Sequence, residues 1–288
     1  MDLLLHPITK KQVEDFLTTY TQSIIIEGSE GAGKPTLANY LSAELLGIKQ
    51  NKLKTYPYYL FLRPTDNTIS IDNVRSCTQF MRLKTLGKNK IRRVLILENS
   101  QFMTIEAQNA FLKLFEEPPL DTVIILTVTN TQKLLPTIQS RAQVITIRTP
   151  SYANTVKYFT KQKYNNTQIQ KAYSITNGRI GLMSAIFSNN NDHPFLNKIN
   201  EAKAILQDHR IDKLMRVNEL SKNKDDIQLM LMALTLVCRA GLLNASSKNS
   251  FIDIKRWLYS LKTITKTDSA LTHNPNMKLL VTNLLLNV

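Results

Sequence analysis

The sequence predicts an α/β domain built on a parallel sheet and carrying a phosphate-binding loop, followed by a small helical unit and an all-helical C-terminal domain. Three observations predict it. Up to residue 150, short β-branched or aromatic runs alternate with segments of helical period. After Pro150 the strand signal disappears. Three of the chain's eight glycines, Gly28, Gly31 and Gly33, fall within six residues, between the first strand run and a helical segment.

Taken in order, Ser23–Glu27 is a short β-branched run and Leu37–Leu46 is helical. Tyr58–Leu62 is aromatic and apolar, and a helix is expected over Ile71–Met81. Val94–Leu97 and Val123–Val128 are compact apolar runs, and Val144–Ile147 is a further β-rich piece. Between them, Thr104–Glu117 places Ala107, Ala110, Phe111, Leu114 and Phe115 on one helical face. Thr104 can cap its start. Pro118-Pro119 ends it, because a residue before proline is pushed out of the helical region. Strands separated by helices pair in parallel through crossover connections.

Residues 151–188 read as a small helical unit, and Asn189-Asn190-Asn191-Asp192 as a polar break. From Pro194 onward the pattern is helical again. Ile227–Cys238 is apolar nearly all round, which marks a buried central helix. The expected domains are therefore 1–150, 151–188 and 189–288.

Composition narrows the function classes. The chain has 288 residues, 43% hydrophobic, with 37 Lys and Arg against 22 Asp and Glu, a net charge of +15. Residues 1–150 hold 18 basic and 13 acidic groups, and the remainder 19 and 9, so the second half is the more positive. Such a balance suggests an anionic partner, nucleic acid first. Cys77 and Cys238 lie too far apart in sequence to suggest a disulfide framework, and His6, His193, His209 and His273 are scattered. No metal is expected. Met1–Pro7 lacks the features of a signal peptide, and Leu229–Cys238 is well short of the roughly 18 residues a membrane span needs. A cytoplasmic protein with no membrane partner is the expectation.

The glycine cluster reads Gly28-Ser29-Glu30-Gly31-Ala32-Gly33-Lys34-Pro35-Thr36. Between a strand and a helix, that pattern is a phosphate loop: backbone N–H groups curl round a phosphate, and Lys34 reaches the outer oxygens. The position after the lysine should carry the hydroxyl that ligates Mg²⁺. Pro35 has neither a hydroxyl nor an N–H, although proline suits a first helical turn. Thr36 is adjacent, but one residue along a helix turns a side chain by about 100°. The strand Val94–Leu97 then ends in Glu98-Asn99, where a hydrolysing site needs an acid for the metal and a base for water. Glu98 could lie near a metal; Asn99 cannot accept a proton. No cofactor is firmly implied. At most ATP or ADP is held weakly, through Gly28, Gly31, Gly33, Lys34, Thr36 and Glu98, without efficient hydrolysis.

Residues 82–93 contain Arg82, Lys84, Lys88, Lys90, Arg92 and Arg93 without an acid. Lys84, Lys88, Lys90 and Arg92 are candidates for sequence-independent DNA contact, although a basic run is more often a solvated face. Trp257, beside Arg256 and Tyr259, reads as helix packing rather than a base-stacking platform.

Two strings carry a family resemblance. Arg93–Ser100 with Glu106–Pro119, containing Asn109-Ala110-Phe111-Leu112-Lys113 and Glu116-Glu117-Pro118-Pro119, resembles the acidic-box strand and following helix of bacterial clamp-loader AAA+ proteins of DNA polymerase III. Leu134–Gln143, with Leu135-Pro136-Thr137-Ile138-Gln139-Ser140-Arg141, resembles their arginine-finger segment. Within the family the delta-prime-like members, which often have degraded nucleotide sites, fit best.

The resemblance implies an AAA+ core, a helical lid over 151–188 and an oligomerisation collar over 189–288. It implies that Arg141 acts in trans on the ATP of a neighbouring subunit. It also implies an accessory subunit without ATPase activity of its own. Its partners would be an ATP-hydrolysing AAA+ subunit, a delta-like subunit, the sliding clamp and primed DNA. The family's lid arginine is replaced by glycine in Gly178-Arg179-Ile180-Gly181, the cysteine usual after the finger is Ala142, and Lys52–Tyr56 stands where many relatives carry a four-cysteine zinc module. Two alternatives stay open: an active ATPase motor subunit of the same loader, and a phosphate-loop relic that acts as a DNA-binding protein.

Overall fold

Three consecutive isoleucines organise the first half of the chain. Strand β1 (Ser23–Glu27) alternates its side chains across two apolar layers, with Ile24 and Ile26 in one and Ile25 in the other. Strands β3 (Arg93–Leu97) and β4 (Thr122–Val128) are likewise buried along their whole length. With β2 (Tyr59–Leu62) and β5 (Gln143–Thr146) they form one parallel sheet in the order β2-β3-β4-β1-β5. Strands buried on both faces read as unbroken apolar runs, which is why these were visible in the sequence.

Helices cover both faces. Helices α1 (Pro7–Thr19) and α2 (Lys34–Leu46) bury Val13, Phe16, Leu37 and Leu41 against Ile24, Ile26, Val94 and Ile125. Helices α3 (Ile71–Met81) and α4 (Ile105–Glu116) bury Val74, Cys77, Ala107 and Phe111 against Ile25, Leu95 and Leu126. The Thr104 hydroxyl accepts the Ala107 N–H at 3.1 Å and caps α4, which stops at Glu116 ahead of the two prolines. Helix α1 was not foreseen. Its buried set, Thr9, Val13 and Phe16, is sparse, and Thr9 donates its hydroxyl to the Thr146 carbonyl at 2.7 Å, tying α1 to β5. A four-residue helix, α5 (Pro136–Gln139), precedes β5.

This computed structural model describes residues 3–65, 68–188, 194–271 and 275–288. They divide into two compact units, Met1–Ser151 and Tyr152–Val288. The second unit contains α6 (Tyr152–Lys161), α7 (Asn166–Thr176), α8 (Ile180–Phe187), α9 (Pro194–Gln207), α10 (Arg210–Leu220), α11 (Lys224–Ser247), α12 (Phe251–Leu271) and α13 (Met277–Asn287). The polar break Asn189–Asp192, with His193 and His273, lies outside the described residues. Leu182 of α8 shares one apolar core with Phe195, Ile199, Leu234 and Leu285, so by packing the segment 152–187 belongs with the helices after it.

Helix α11 is the axis of that core. It runs well beyond the apolar Ile227–Cys238 stretch, and Asn223 caps its first turn. By length and composition it would pass for a membrane span, yet Ile227, Met230, Leu231, Leu234 and Cys238 are buried in the helical core. Helices α11 and α12 approach closely at Gly241. A Cβ there would stand 2.5 Å from the Trp257 ring, so glycine is what lets the indole lie on the neighbouring helix. Trp257 is accordingly a packing residue.

The basic run 82–93 folds onto Asp121. Its carboxylate accepts from the Thr85 hydroxyl, from Arg92 Nε at 3.3 Å and from the Thr122 hydroxyl at 3.2 Å. Its carbonyl accepts the Arg92 and Arg93 N–H groups at 2.9 and 3.0 Å. The Arg93 side chain is buried, donating to the Met81 and Leu83 carbonyls with its guanidinium 5.7 Å from the Phe80 ring centre. Burial alone would raise the Asp121 pKa. The Thr85 hydroxyl, the Arg93 charge, Arg92 and Thr122 outweigh it and hold the carboxyl below its ordinary 3.8. The stability this contributes is complete above that ordinary value and is lost as pH falls through the lower folded one.

Two outcomes follow from this packing. Asp121→Asn should cost about 1–3 kcal/mol at pH 7, and the gap from the native chain should narrow progressively as pH falls below 3.8, as read by urea unfolding across that range. Gly241→Val should cost about 2 kcal/mol or more by overpacking the α11–α12 contact, with a shift in emission from the single tryptophan.

Candidate functional site

The glycine loop hangs from the C-terminal end of β1. The Gly28 N–H donates to the Val128 carbonyl at 3.1 Å, and a Cβ on Gly28 would stand only 3.1 Å from Ile147 Cβ. Gly31 and Gly33 adopt φ of 76° and 97°, left-handed conformations that turn the chain into α2. Lys34 opens that helix and is 3% exposed. Its ammonium donates to the Gly28 carbonyl at 3.0 Å and the Ser29 carbonyl at 3.4 Å, and it lies 3.4 Å from the Glu30 carboxylate. Pro35 sits in the first turn, while Thr36 is exposed on α2.

The ends of β3 and β4 complete the crevice. Glu98 Oε2 accepts from Arg63 Nε at 2.9 Å. Burial pushes the Glu98 carboxyl up. The Arg63 charge opposes that rise, the Glu30 charge adds to it and the Lys34 charge reduces it. Glu30, Lys34 and Glu98 thus sense one another across a single site. Asn99 takes a left-handed conformation, φ 51°, and its N–H donates to the Thr127 hydroxyl at 3.0 Å. Its side-chain oxygen is buried without a hydrogen-bond partner. Glu27, at the end of β1, accepts from the Thr131 N–H at 2.9 Å and the Thr131 hydroxyl at 3.2 Å. Because β1 lies between β4 and β5, the loop occupies the switch point of the sheet, where parallel α/β folds bind ligands.

The expected residues Gly28, Gly31, Gly33, Lys34 and Glu98 therefore come together. Sequence reasoning missed the partners Glu30, Arg63 and Thr131. Glu30 was visible as an acid inside the loop, whereas Arg63 had no local signal.

Arg141 lies elsewhere. It follows α5, is exposed, and pairs with Glu116 at the end of α4 at 3.1 Å while donating to the Thr137 carbonyl at 3.1 Å. Gln143, two residues on, is in register with Ile24 near the start of β1. Four strand residues, about 13 Å, then separate that level from Gly28.

The four DNA candidates do not share one environment. Lys84 and Lys88 are exposed, and the Lys90 ammonium lies 4.9 Å over the Tyr20 ring. Arg92 is tied to Asp121 and to the Gly87 carbonyl at 3.0 Å. In the second unit, Arg179 precedes α8 with its guanidinium 6.0 Å from the Phe195 ring, and Gly181 lies in that helix's first turn. Among the described residues no group of three or more His, Cys, Asp or Glu could hold a metal ion. Burial pushes the Cys77 and Cys238 thiols up to about 12, so neither is a thiolate at neutral pH.

The family described as "DNA polymerase III, delta subunit" matches residues 9–151, which contain the loop, the β3–α4 segment and Arg141. The DNA polymerase III subunit delta' of Pseudomonas aeruginosa is 32% identical over 139 residues, 42% of this chain and 42% of that protein. The same subunit of Escherichia coli is 24% identical over 208 residues, 65% of this chain and 62% of that one. The match thus spans less than two thirds of the length of these relatives. A DNA polymerase III gamma subunit-related protein of Thermotoga maritima shares the fold, with a TM-score of 0.52 at 19% identity over 96% of this chain and 97% of that one. On its motifs, its sheet and this match, the chain belongs to the clamp-loader AAA+ family of DNA polymerase III and is related to the delta-prime subunits.

Proposed function

We propose that this chain is an accessory subunit of the DNA polymerase III clamp loader that does not hydrolyse ATP itself and lends Arg141 to a neighbour. The observation that carries the reading is the position of Arg141. It is exposed at the N-terminal end of β5, about 13 Å along the strands from the level of its own phosphate loop, which favours contact with a phosphate held by another subunit. An always-charged, planar guanidinium suits that task, because it stabilises charge developing on a transferred phosphoryl group. In the free chain its partner is Glu116, about as exposed as itself. Such pairs contribute roughly 0–1 kcal/mol, so exchanging the carboxylate for a phosphate costs little.

The chain's own loop supports the non-hydrolysing half of the reading. Pro35 supplies no metal ligand, Asn99 offers no base, and Lys34 is engaged inside the loop. Those features also argue against the alternative of an active motor. On this reading the neighbour is an ATP-hydrolysing AAA+ subunit, with a delta-like subunit, the sliding clamp and primed DNA as further partners. Residues 152–187 act as the lid and the helices from Pro194 as the collar. Lys84 and Lys88 are the residues of the basic run best placed to meet DNA.

The test is reconstitution with the other loader subunits. The isolated chain should show no ATP turnover above background. Arg141→Ala should lower clamp- and DNA-stimulated turnover at the site it faces at least tenfold, and by as much as the factor of about 10³–10⁵ that arginine fingers supply. Unchanged turnover of the assembly would remove the finger role, and Mg²⁺-dependent turnover by the isolated chain would remove the non-hydrolysing one.

A further inference from the structure

Lys34 is the one cation that the phosphate loop contributes, and all three of its ammonium donors are taken. The Gly28 carbonyl at 3.0 Å, the Ser29 carbonyl at 3.4 Å and the Glu30 carboxylate at 3.4 Å are its partners. The first two are neutral; Glu30 is a full negative charge held within the turn that would wrap a phosphate. The pair is sheltered, with the lysine side chain 3% and the glutamate side chain 22% exposed, so solvent screens it only in part. Glu98, paired with Arg63 at 2.9 Å, is a second carboxylate near enough to act on the loop's charges. A polyphosphate entering here has to draw Lys34 away from Glu30 and then lie beside the freed Glu30 carboxylate, while Glu98 is held by Arg63. Pro35 gives it no compensating N–H.

We propose that Glu30 is the loop's internal counterion, a specificity-determining residue that occupies Lys34 in place of a nucleotide phosphate and so keeps ATP and ADP out. The inference rests on the reading of this loop as a nucleotide-type site that does not hydrolyse, and it names the side chain that closes it. The loop keeps its shape because its glycines and its helix still need that turn. Its charge is satisfied from within.

Calorimetric titration of the purified full chain tests this, with ADP and, separately, inorganic pyrophosphate as probes. Glu30→Gln keeps the size of the side chain and removes its charge. It should bind ADP about tenfold or more tighter than the native chain, and the gain should vanish when Lys34→Ala is added. Glu30→Ser, a second neutral variant, should show the same gain, with a thermal melt to check that each variant is folded. Equal affinity in the native chain and the neutral variants overturns the proposal. So does a gain that survives Lys34→Ala. These outcomes are read as binding, whereas the non-hydrolysing reading fails on turnover by the native chain, so the two fail separately.

Discussion

Strand β1 has no face toward solvent: Ile24 and Ile26 are packed under α1 and α2, Ile25 under the α3–α4 layer, and both edges are paired, to β4 and β5. A strand enclosed on all four sides cannot slide, because a one-residue slip would exchange its two faces. The loop that follows inherits that rigidity. Gly28 is pinned to Val128 on one side and crowded by Ile147 on the other, so the start of the turn into α2 is held by the sheet itself. The phosphate-loop shape is in this sense a consequence of how the sheet closes around β1. It survives the loss of its metal ligand because Pro35 is compatible with the helix start.

Charge is handled differently at the two ends of this sheet. A buried charge must be paired or hydrogen-bonded. Lys34 meets that demand inside its own loop, and Arg93 meets it with the carbonyls at the end of α3. Arg141 is exposed, and its pairing with Glu116 is of the kind that solvent and salt weaken. The cation of the chain's own phosphate loop is thus paired inward, and the one at the opposite end of the strands is more readily exchanged. That asymmetry is what the proposed role at a neighbour's site would require.

The parts legible in the sequence were those set by local rules. The five strands appeared within a residue or so of their observed bounds, because fully buried parallel strands leave continuous apolar runs. Helix α4 was readable from its period, its Thr104 cap and its terminal prolines. Helix α1 escaped notice because its buried face is sparse and includes Thr9, whose role is a hydrogen bond to a strand reached only late in the chain. The basic run 82–93 looked like one surface. The fold divided it, spending Arg92 and Arg93 on Asp121 and on α3, since the acid that satisfies Arg92 lies 29 residues away in sequence.

By itself the sequence determined the alternation of strands and helices, the glycine spacing of a phosphate loop, and the presence of Pro35 and Asn99 where that loop pattern calls for a hydroxyl and an acid. Those are properties of residue type and spacing, and no partner is needed to read them. The tertiary structure alone decided that Lys34 points back into its loop toward Glu30, that Glu98 finds Arg63, and that Arg141 emerges at the opposite end of the strands from Gly28. Each of these depends on where strand register and crossover direction set a side chain, and that geometry exists only once β1 is enclosed.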